Sequence, residues 1–173
     1  MSKIAVIYKS IYGTTKQYAE WIAEELGASL FTVSEIKPKQ LPDYDIVIFG
    51  GGLYASGIIG VKLVTNNPCN CLVVFTVGAA NPNNTDYTDI LNKNFSKELL
   101  SKTKVFHFHG GIDYSKLSLI HKAMMALVKK SAEKKSPDEW EADDQEFLAT
   151  YGKKFDYTDK AMIMPLLEYV RTL

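Results

Sequence analysis

The sequence has little sulfur chemistry and no segment of membrane-spanning length. Its 173 residues include two cysteines, Cys69 and Cys71, which are too close together along a probable strand to indicate a disulfide framework. A Cys-x-Cys pair without a further cysteine or a nearby histidine is also a poor metal site. No apolar run is long enough to cross a bilayer, and the N-terminus is typical of a strand rather than of a signal peptide. These absences predict a cytoplasmic, single-domain protein with two reduced thiols.

The chain has no net charge, but its charges are unevenly distributed. It carries 20 Lys and Arg residues against 20 Asp and Glu residues. Residues 81–135 contain ten lysines and five acidic residues, whereas residues 136–173 contain four basic and nine acidic residues. The basic segment has few interleaved aromatic residues, so nucleic-acid binding is not expected.

Two common nucleotide-binding motifs are missing from the first strand-to-helix connection. Lys3–Tyr8 is predicted to be a strand and Lys16–Leu26 a helix, and the loop between them has neither a Gly-Lys-Ser/Thr ending nor a Gly-x-Gly-x-x-Gly pattern. The loop does place hydroxyl side chains and one glycine before a helix N-terminus, where unpaired N–H groups and the helix dipole favour an anion. Taken alone, the pattern fits either a phosphate loop or an ordinary strand-to-helix turn.

Apolar runs alternate with helical patterns over the first 110 residues, which predicts a parallel sheet with helices on both faces. The other predicted strands are Ala28–Val33, Asp45–Gly50, Leu72–Thr76 and Lys104–His109, and a helix is predicted over Thr85–Leu100. Loops of glycine or other small residues follow the third and fourth strands, at Gly50–Gly57 and Val77–Pro82. In a doubly wound sheet, the loops after strands one, three and four meet at one edge, where ligands bind.

Together these three loops resemble those of the flavodoxin-like family. Ser10–Thr15 resembles the family's phosphate loop, Gly50–Gly57 the loop that touches the flavin ring edge, and Thr76–Pro82 the loop on its other side. The resemblance implies a three-layer α/β sandwich with a five-stranded parallel sheet in the order 2-1-3-4-5, non-covalent FMN, electron transfer with the chemistry on the flavin, and no metal. The FMN-binding residues that it implies are Ser10, Ile11, Tyr12, Gly13, Thr14, Thr15, Gly52, Leu53, Tyr54, Ala55, Thr76, Val77, Gly78 and Ala79.

The chain departs from the family pattern at two places. Tyr12 stands where a Ser or Thr is usual, so one phosphate hydrogen bond is expected to be missing or to come from the backbone. The third loop has no aromatic residue between Thr76 and Asn84, which leaves Tyr54 as the ring available for stacking. One flavin face is then expected to be open, which suits an enzyme that admits a second planar molecule. The near-zero net charge also weighs against a shuttle, since flavodoxins are typically acidic.

The second half is predicted to carry a helical elaboration at about 114–152. Tyr114–Lys135 has an apolar helical stripe accompanied by lysines. Such a helix packs on its own fold, docks a partner or lies on an anionic membrane surface. A capping box at Ser136–Glu139 predicts a second helix, and Pro165 within Asp159–Val170 predicts a kink or a late start in a third. The stripe consists of Leu117, Ile120, Met124, Leu127 and Val128.

Gly110–Tyr114, followed by a basic helix that contains methionines, resembles the menaquinone-dependent protoporphyrinogen dehydrogenases of this family. That resemblance implies quinone or membrane access through the helix at 115–135. The remaining hypotheses are therefore an electron-transfer protein with a redox partner, a quinone-coupled dehydrogenase, and an interaction module that keeps the fold without flavin. A receiver-type signalling domain is excluded, because Phe49–Gly50 occupies the position of its acidic residue. His107 and His109 are expected to be core or strand-end histidines.

Overall fold

A computed structural model describes all 173 residues, and its centre is a parallel sheet of five strands. Neighbouring strands in the order β2-β1-β3-β5-β6 all pair in parallel, and the short β4 pairs antiparallel with the end of β3 outside this order. The order 2-1-3-4-5 of the main strands is therefore confirmed. The strands are β1 (Ile4–Lys9), β2 (Ser29–Thr32), β3 (Ile46–Tyr54), β4 (Gly57–Ile58), β5 (Leu72–Gly78) and β6 (Lys104–His109).

Helices cover both faces of the sheet, as predicted. The helices are α1 (Thr14–Leu26), α2 (Lys62–Thr65), α3 (Thr88–Asn94), α4 (Lys97–Lys102), α5 (Leu119–Glu133), α6 (Ala142–Thr150) and α7 (Met164–Arg171). One face packs on α1 and α7, with the Tyr18 and Leu166 side chains fully buried against Val6 and Phe75. The other face packs on α2, α3, α4 and a 3-10 turn. Because the central strands are buried on both faces, they form near-continuous apolar runs in the sequence.

Two predicted helices are interrupted where a side chain caps a new helix. The helix expected over Thr85–Leu100 is divided into α3 and α4, since Phe95 is extended and the Ser96 hydroxyl accepts a hydrogen bond from the Leu99 N–H group at 3.2 Å. The helix expected after Ser136 begins as a 3-10 turn at Pro137–Glu139, and α6 starts at Ala142. Pro165 lies in the first turn of α7, so the late start is confirmed.

The elaboration after β6 contains two strands that the sequence did not predict. β7 (Gly111–Asp113) and β8 (Lys154–Asp156) pair antiparallel and enclose α5 and α6 between them. The predicted Tyr114–Lys135 helix starts with a 3-10 turn, and α5 itself begins after Ser118, whose hydroxyl accepts from the His121 N–H group at 3.2 Å. None of the helices has both the length and the apolar character that a bilayer crossing requires.

Candidate functional site

The phosphate-loop candidate joins β1 to α1 through a tight turn at Gly13. Gly13 has a φ of 100°, a left-handed conformation that favours glycine, and its N–H group donates to the Ser10 hydroxyl at 3.0 Å. The loop therefore closes on itself immediately before the helix begins. This closure explains why the glycine is followed directly by helical residues.

The first turn of α1 presents backbone donors without acceptors. No side chain caps the helix, and the first N–H group of this segment to find a carbonyl partner is that of Gln17, which donates to Gly13 at 3.0 Å. The N–H groups of Thr14, Thr15 and Lys16 have no acceptor within the chain. Together with the positive end of the helix dipole, these donors form a site that fits a phosphate.

The second loop is a hairpin turn between β3 and β4 and not the longer loop expected over Gly50–Gly57. β3 continues to Tyr54, and Ala55 and Ser56 form the turn with φ angles of 48° and 63°. Positive φ at both central positions is the requirement of a type I′ turn, which Asn-Gly usually meets. Here two residues with a Cβ adopt it, so the turn stores backbone strain beside the cavity.

The segment expected as the third loop, Thr76–Pro82, begins later than predicted, because β5 continues to Gly78 and its last residues are the ones that reach the site. Val77 and Gly78 line the cavity, whereas the fully buried Thr76 turns its hydroxyl to Nδ1 of His107 at 2.6 Å. The His107 ring also stacks on Tyr87 at 3.6 Å, and its burial lowers its pKa to about 4. His107 is therefore a neutral structural histidine beneath the loop, as the sequence predicted.

Helix α5 forms a wall of the cavity that the sequence did not assign to the site. His121 and Met125 of this helix, with Leu117 just before it, line the same space as the phosphate loop and Tyr54. The His121 ring lies 4.3 Å from the Tyr54 ring, between centroids, and the Tyr54 hydroxyl donates to the sulfur of Met124. As expected, no aromatic side chain of the third loop lines the cavity, and α5 packs on the Tyr54 side of it.

These elements line a cavity that opens to solvent. Ten of the fourteen predicted residues line it, and Gly13, Ala55, Thr76 and Ala79 do not. Ala79 lines a smaller neighbouring cavity. The predicted residues that line the main cavity are Ser10, Ile11, Tyr12, Thr14, Thr15, Gly52, Leu53, Tyr54, Val77 and Gly78, and the additional ones are Ile59, Gly111, Ile112, Leu117, His121 and Met125.

The chemistry of this lining fits FMN. Hydroxyl groups and free backbone donors lie at one end, and apolar and aromatic side chains lie at the other, as a phosphorylated tail joined to a planar ring requires. No carboxylate lines the cavity, so no negative charge there opposes a phosphate. No group of three or more His, Cys, Asp or Glu side chains is arranged to hold a metal ion.

A family model described as a flavodoxin domain matches residues 5–139 of the chain. The uncharacterized protein MJ0298 of Methanocaldococcus jannaschii is 36% identical over 53 residues, which are 30% of this chain and 35% of that protein. The match thus spans about a third of the length of this relative.

Two solved structures illustrate the structural likeness. Oxidised Flavodoxin 2 from Bacillus cereus is 17% identical and aligns over 62% of this chain and 84% of its own, with a TM-score of 0.48. A flavoprotein in complex with FMN from Lactobacillus acidophilus is 16% identical and aligns over 63% of this chain and 93% of its own, with a TM-score of 0.42. At such TM-scores, these likenesses carry no weight for function.

Proposed function

Because the chain belongs to the flavodoxin family, we propose that it binds FMN in the cavity between the phosphate loop and α5 and acts as a redox protein. A single observation carries the proposal. The loops after β1, β3 and β5 meet at the carboxyl edge of the sheet and line one cavity, polar at one end and apolar at the other. When bound, FMN supplies the electron-transfer chemistry of this site.

Some residues of the cavity would bind the FMN phosphate, and others would position the flavin ring. Ser10, Thr14 and Thr15, with the N–H groups of the first turn of α1, would hold the phosphate. Tyr54 would contact the ring, and the strained turn after it would place a peptide group at the ring edge. Electrostatic screening of the phosphate falls to hydroxyl and backbone donors, because no Lys or Arg lines the cavity.

Titration of the flavin-free protein with FMN tests this proposal. We expect one FMN to bind per chain, with binding detected by the quenching of flavin fluorescence. The visible spectrum of the bound flavin should change when dithionite is added, and the change should be reversible. The variant Thr15→Val removes a hydroxyl from the buried end of the cavity, and we expect it to weaken FMN binding by about tenfold to a hundredfold, because a hydrogen bond to a charged group contributes about 1.5–3 kcal/mol.

The matched control is Thr103→Val, since this hydroxyl donates to the Leu99 carbonyl oxygen far from the cavity. It should leave the dissociation constant of FMN unchanged. A wild-type protein that binds no FMN would contradict the proposal and support the interaction module without flavin. Equal effects of the two variants would place the phosphate elsewhere.

A second candidate is quinone-coupled oxidation at an anionic membrane surface, as in the protoporphyrinogen dehydrogenases that Gly110–Tyr114 resembles. The observation that favours it is the outer face of α5. The Leu119, Ile120 and Leu127 side chains are 84%, 71% and 67% exposed, respectively. Lysines accompany them along the helix, and apolar residues with basic neighbours are typical of a helix that lies at a lipid interface.

Vesicle flotation separates this candidate from a shuttle with a protein partner. We expect the FMN-loaded chain to bind vesicles that contain phosphatidylserine and not vesicles of phosphatidylcholine alone. Leu127→Glu should abolish binding, whereas Leu30→Glu, at a 37% exposed position on β2, should not. Absence of binding, or of menaquinone reduction coupled to protoporphyrinogen, would leave electron transfer to a redox partner protein as the function.

A further inference from the structure

The phosphate-loop tyrosine makes a contact that a Ser or Thr at its position could not reach. The Tyr12 hydroxyl and Nδ1 of His121 on α5 are joined by a hydrogen bond, and the two rings meet edge to face at 5.5 Å between centroids. The backbone N–H group of Ser118, the residue that caps α5, also points to this hydroxyl at 3.5 Å. Tyr12 therefore connects the phosphate loop to the first turn of α5.

His121 continues this connection to the other end of the cavity. Its ring packs against Tyr54 with a centroid distance of 4.3 Å, so it lies between the phosphate loop and the residue predicted to contact the flavin ring. His121 also lines the cavity itself, together with Met125 one turn later. The first turns of the helix are thus held to the site by side chains that line the cavity, whereas its C-terminal end is held by the segment around α6, where the Trp140 indole N–H donates to the Ala132 carbonyl oxygen at 3.0 Å.

We propose that the Tyr12–His121 pair holds α5 over the flavin site and that His121 is a positioning residue, because its ring packs on Tyr54 and so sets the orientation of the side chain that would contact the flavin ring. This inference rests on the proposed FMN site. It gives a function to the unusual tyrosine at position 12. The Ser or Thr hydroxyl that the phosphate loop lacks is replaced by a tyrosine whose hydrogen bond to His121 holds α5 in place. It also places the exposed apolar face of α5 at the entrance of the cavity.

Amide hydrogen exchange of the flavin-free chain tests directly whether the Tyr12–His121 hydrogen bond holds α5 in place. Because one hydrogen bond is removed in each case, Tyr12→Phe and His121→Phe should each speed exchange in residues 119–125, the part of α5 that lies at the cavity, about fivefold. The double variant should exchange no faster than either single variant, since both remove the same interaction. Tyr169→Phe on α7, a tyrosine outside the cavity, is the matched control and should leave exchange in α5 unchanged.

FMN titration and visible circular dichroism test the positioning of Tyr54 by His121. Both single variants should raise the dissociation constant of FMN about fivefold, and substitution of His121 should change the dichroism of the bound flavin. His121→Asn, whose amide oxygen can accept from Tyr12, should restore slow exchange in α5 without restoring the wild-type dichroism.

Each contrary result has one meaning. If the amide exchange rates of α5 in both single variants equal those of the wild type, the Tyr12–His121 hydrogen bond does not hold the helix. If the wild-type chain binds FMN, unchanged FMN binding in both single variants and unchanged dichroism on substitution of His121 would overturn the positioning role of His121 and leave the FMN site standing. A wild-type chain that binds no FMN would overturn the proposed function and, with it, the positioning role of His121.

Discussion

His107 gives the chain a stability that depends on pH, and the structure fixes its direction. The imidazole is half-buried beneath the third loop, stacked on Tyr87 at 3.6 Å and bonded through Nδ1 to Thr76 at 2.6 Å. Burial disfavours the charged form and lowers the pKa of His107 to about 4, from an ordinary value of 6.5. In the unfolded chain the imidazole regains its ordinary pKa.

The sign and the size of the effect follow from these two pKa values. Above pH 6.5 the His107 imidazole is neutral in both states, and its full contribution is present. Between pH 6.5 and about 4 the unfolded chain binds a proton that the native chain does not, so the free energy of unfolding falls as the pH is lowered. The pKa difference corresponds to about 3 kcal/mol, and since the ring is only half-buried we expect a loss of about 1–2 kcal/mol.

Urea unfolding of wild type and of His107→Phe, followed by circular dichroism from about pH 7.5 to about pH 4.5, isolates this contribution from that of other groups. The variant leaves the Thr76 hydroxyl without its partner, so it should be less stable by about 1–2 kcal/mol at the higher pH. The gap should then close as the pH falls, because only the wild type loses stability through His107. A gap that stays constant over this range, or an imidazole NMR titration with an ordinary midpoint, would refute the reasoning.

Three further predictions concern backbone strain and thiol reactivity. Gly13→Ala should destabilise the flavin-free chain by about 1–2 kcal/mol in urea unfolding, because alanine is strained at a φ of 100°. A steric clash does not contribute, since a Cβ there would meet no atom within 4 Å. An unchanged unfolding midpoint would contradict this prediction. Ser56→Gly should instead stabilise by about 1 kcal/mol in the same assay, because it relieves a φ of 63°, and a lowered midpoint would count against the strain. Burial raises the pKa of the Cys69 thiol to about 11, so its alkylation, followed by mass spectrometry, should accelerate only at strongly alkaline pH; an inflection below about pH 9 would contradict the burial.

The main sheet could be predicted from the sequence because its signals are local and redundant. Runs such as Ile46–Phe49 are apolar on both faces, and each is followed by glycine or by small residues. The breaks inside helices were harder to predict, because they depend on a competition. At the break between α3 and α4, Phe95 is extended and the Ser96 side chain caps α4. These two features compete with the backbone hydrogen bonds of an uninterrupted helix, which the same residues could also have formed.

The site was predictable where its residues belong to one continuous segment of the sequence. Ser10–Thr15 is a single segment whose hydroxyls and glycine fit an anion, and its members other than Gly13 line the cavity. His121 was not predictable, because it reaches the site across 109 positions through a contact with Tyr12. The one available signal was the unusual tyrosine itself, and a sequence alone does not say which distant residue a side chain meets.

Helix α5 shows why an apolar stripe does not by itself identify the buried face. The stripe predicts an amphipathic helix, and the usual arrangement turns that stripe toward the core. Here Ile120 and Leu127 are largely exposed, whereas His121 and Met125 face inward, because the surface beneath α5 is the mouth of a cavity and not a hydrophobic core. The inner face is therefore suited to a polar, aromatic cofactor, and the outer face is left apolar beside the cavity entrance. A helix with this division of residues is built to meet two different environments, and substitution of Leu127 should affect membrane or partner binding while substitution of His121 affects FMN.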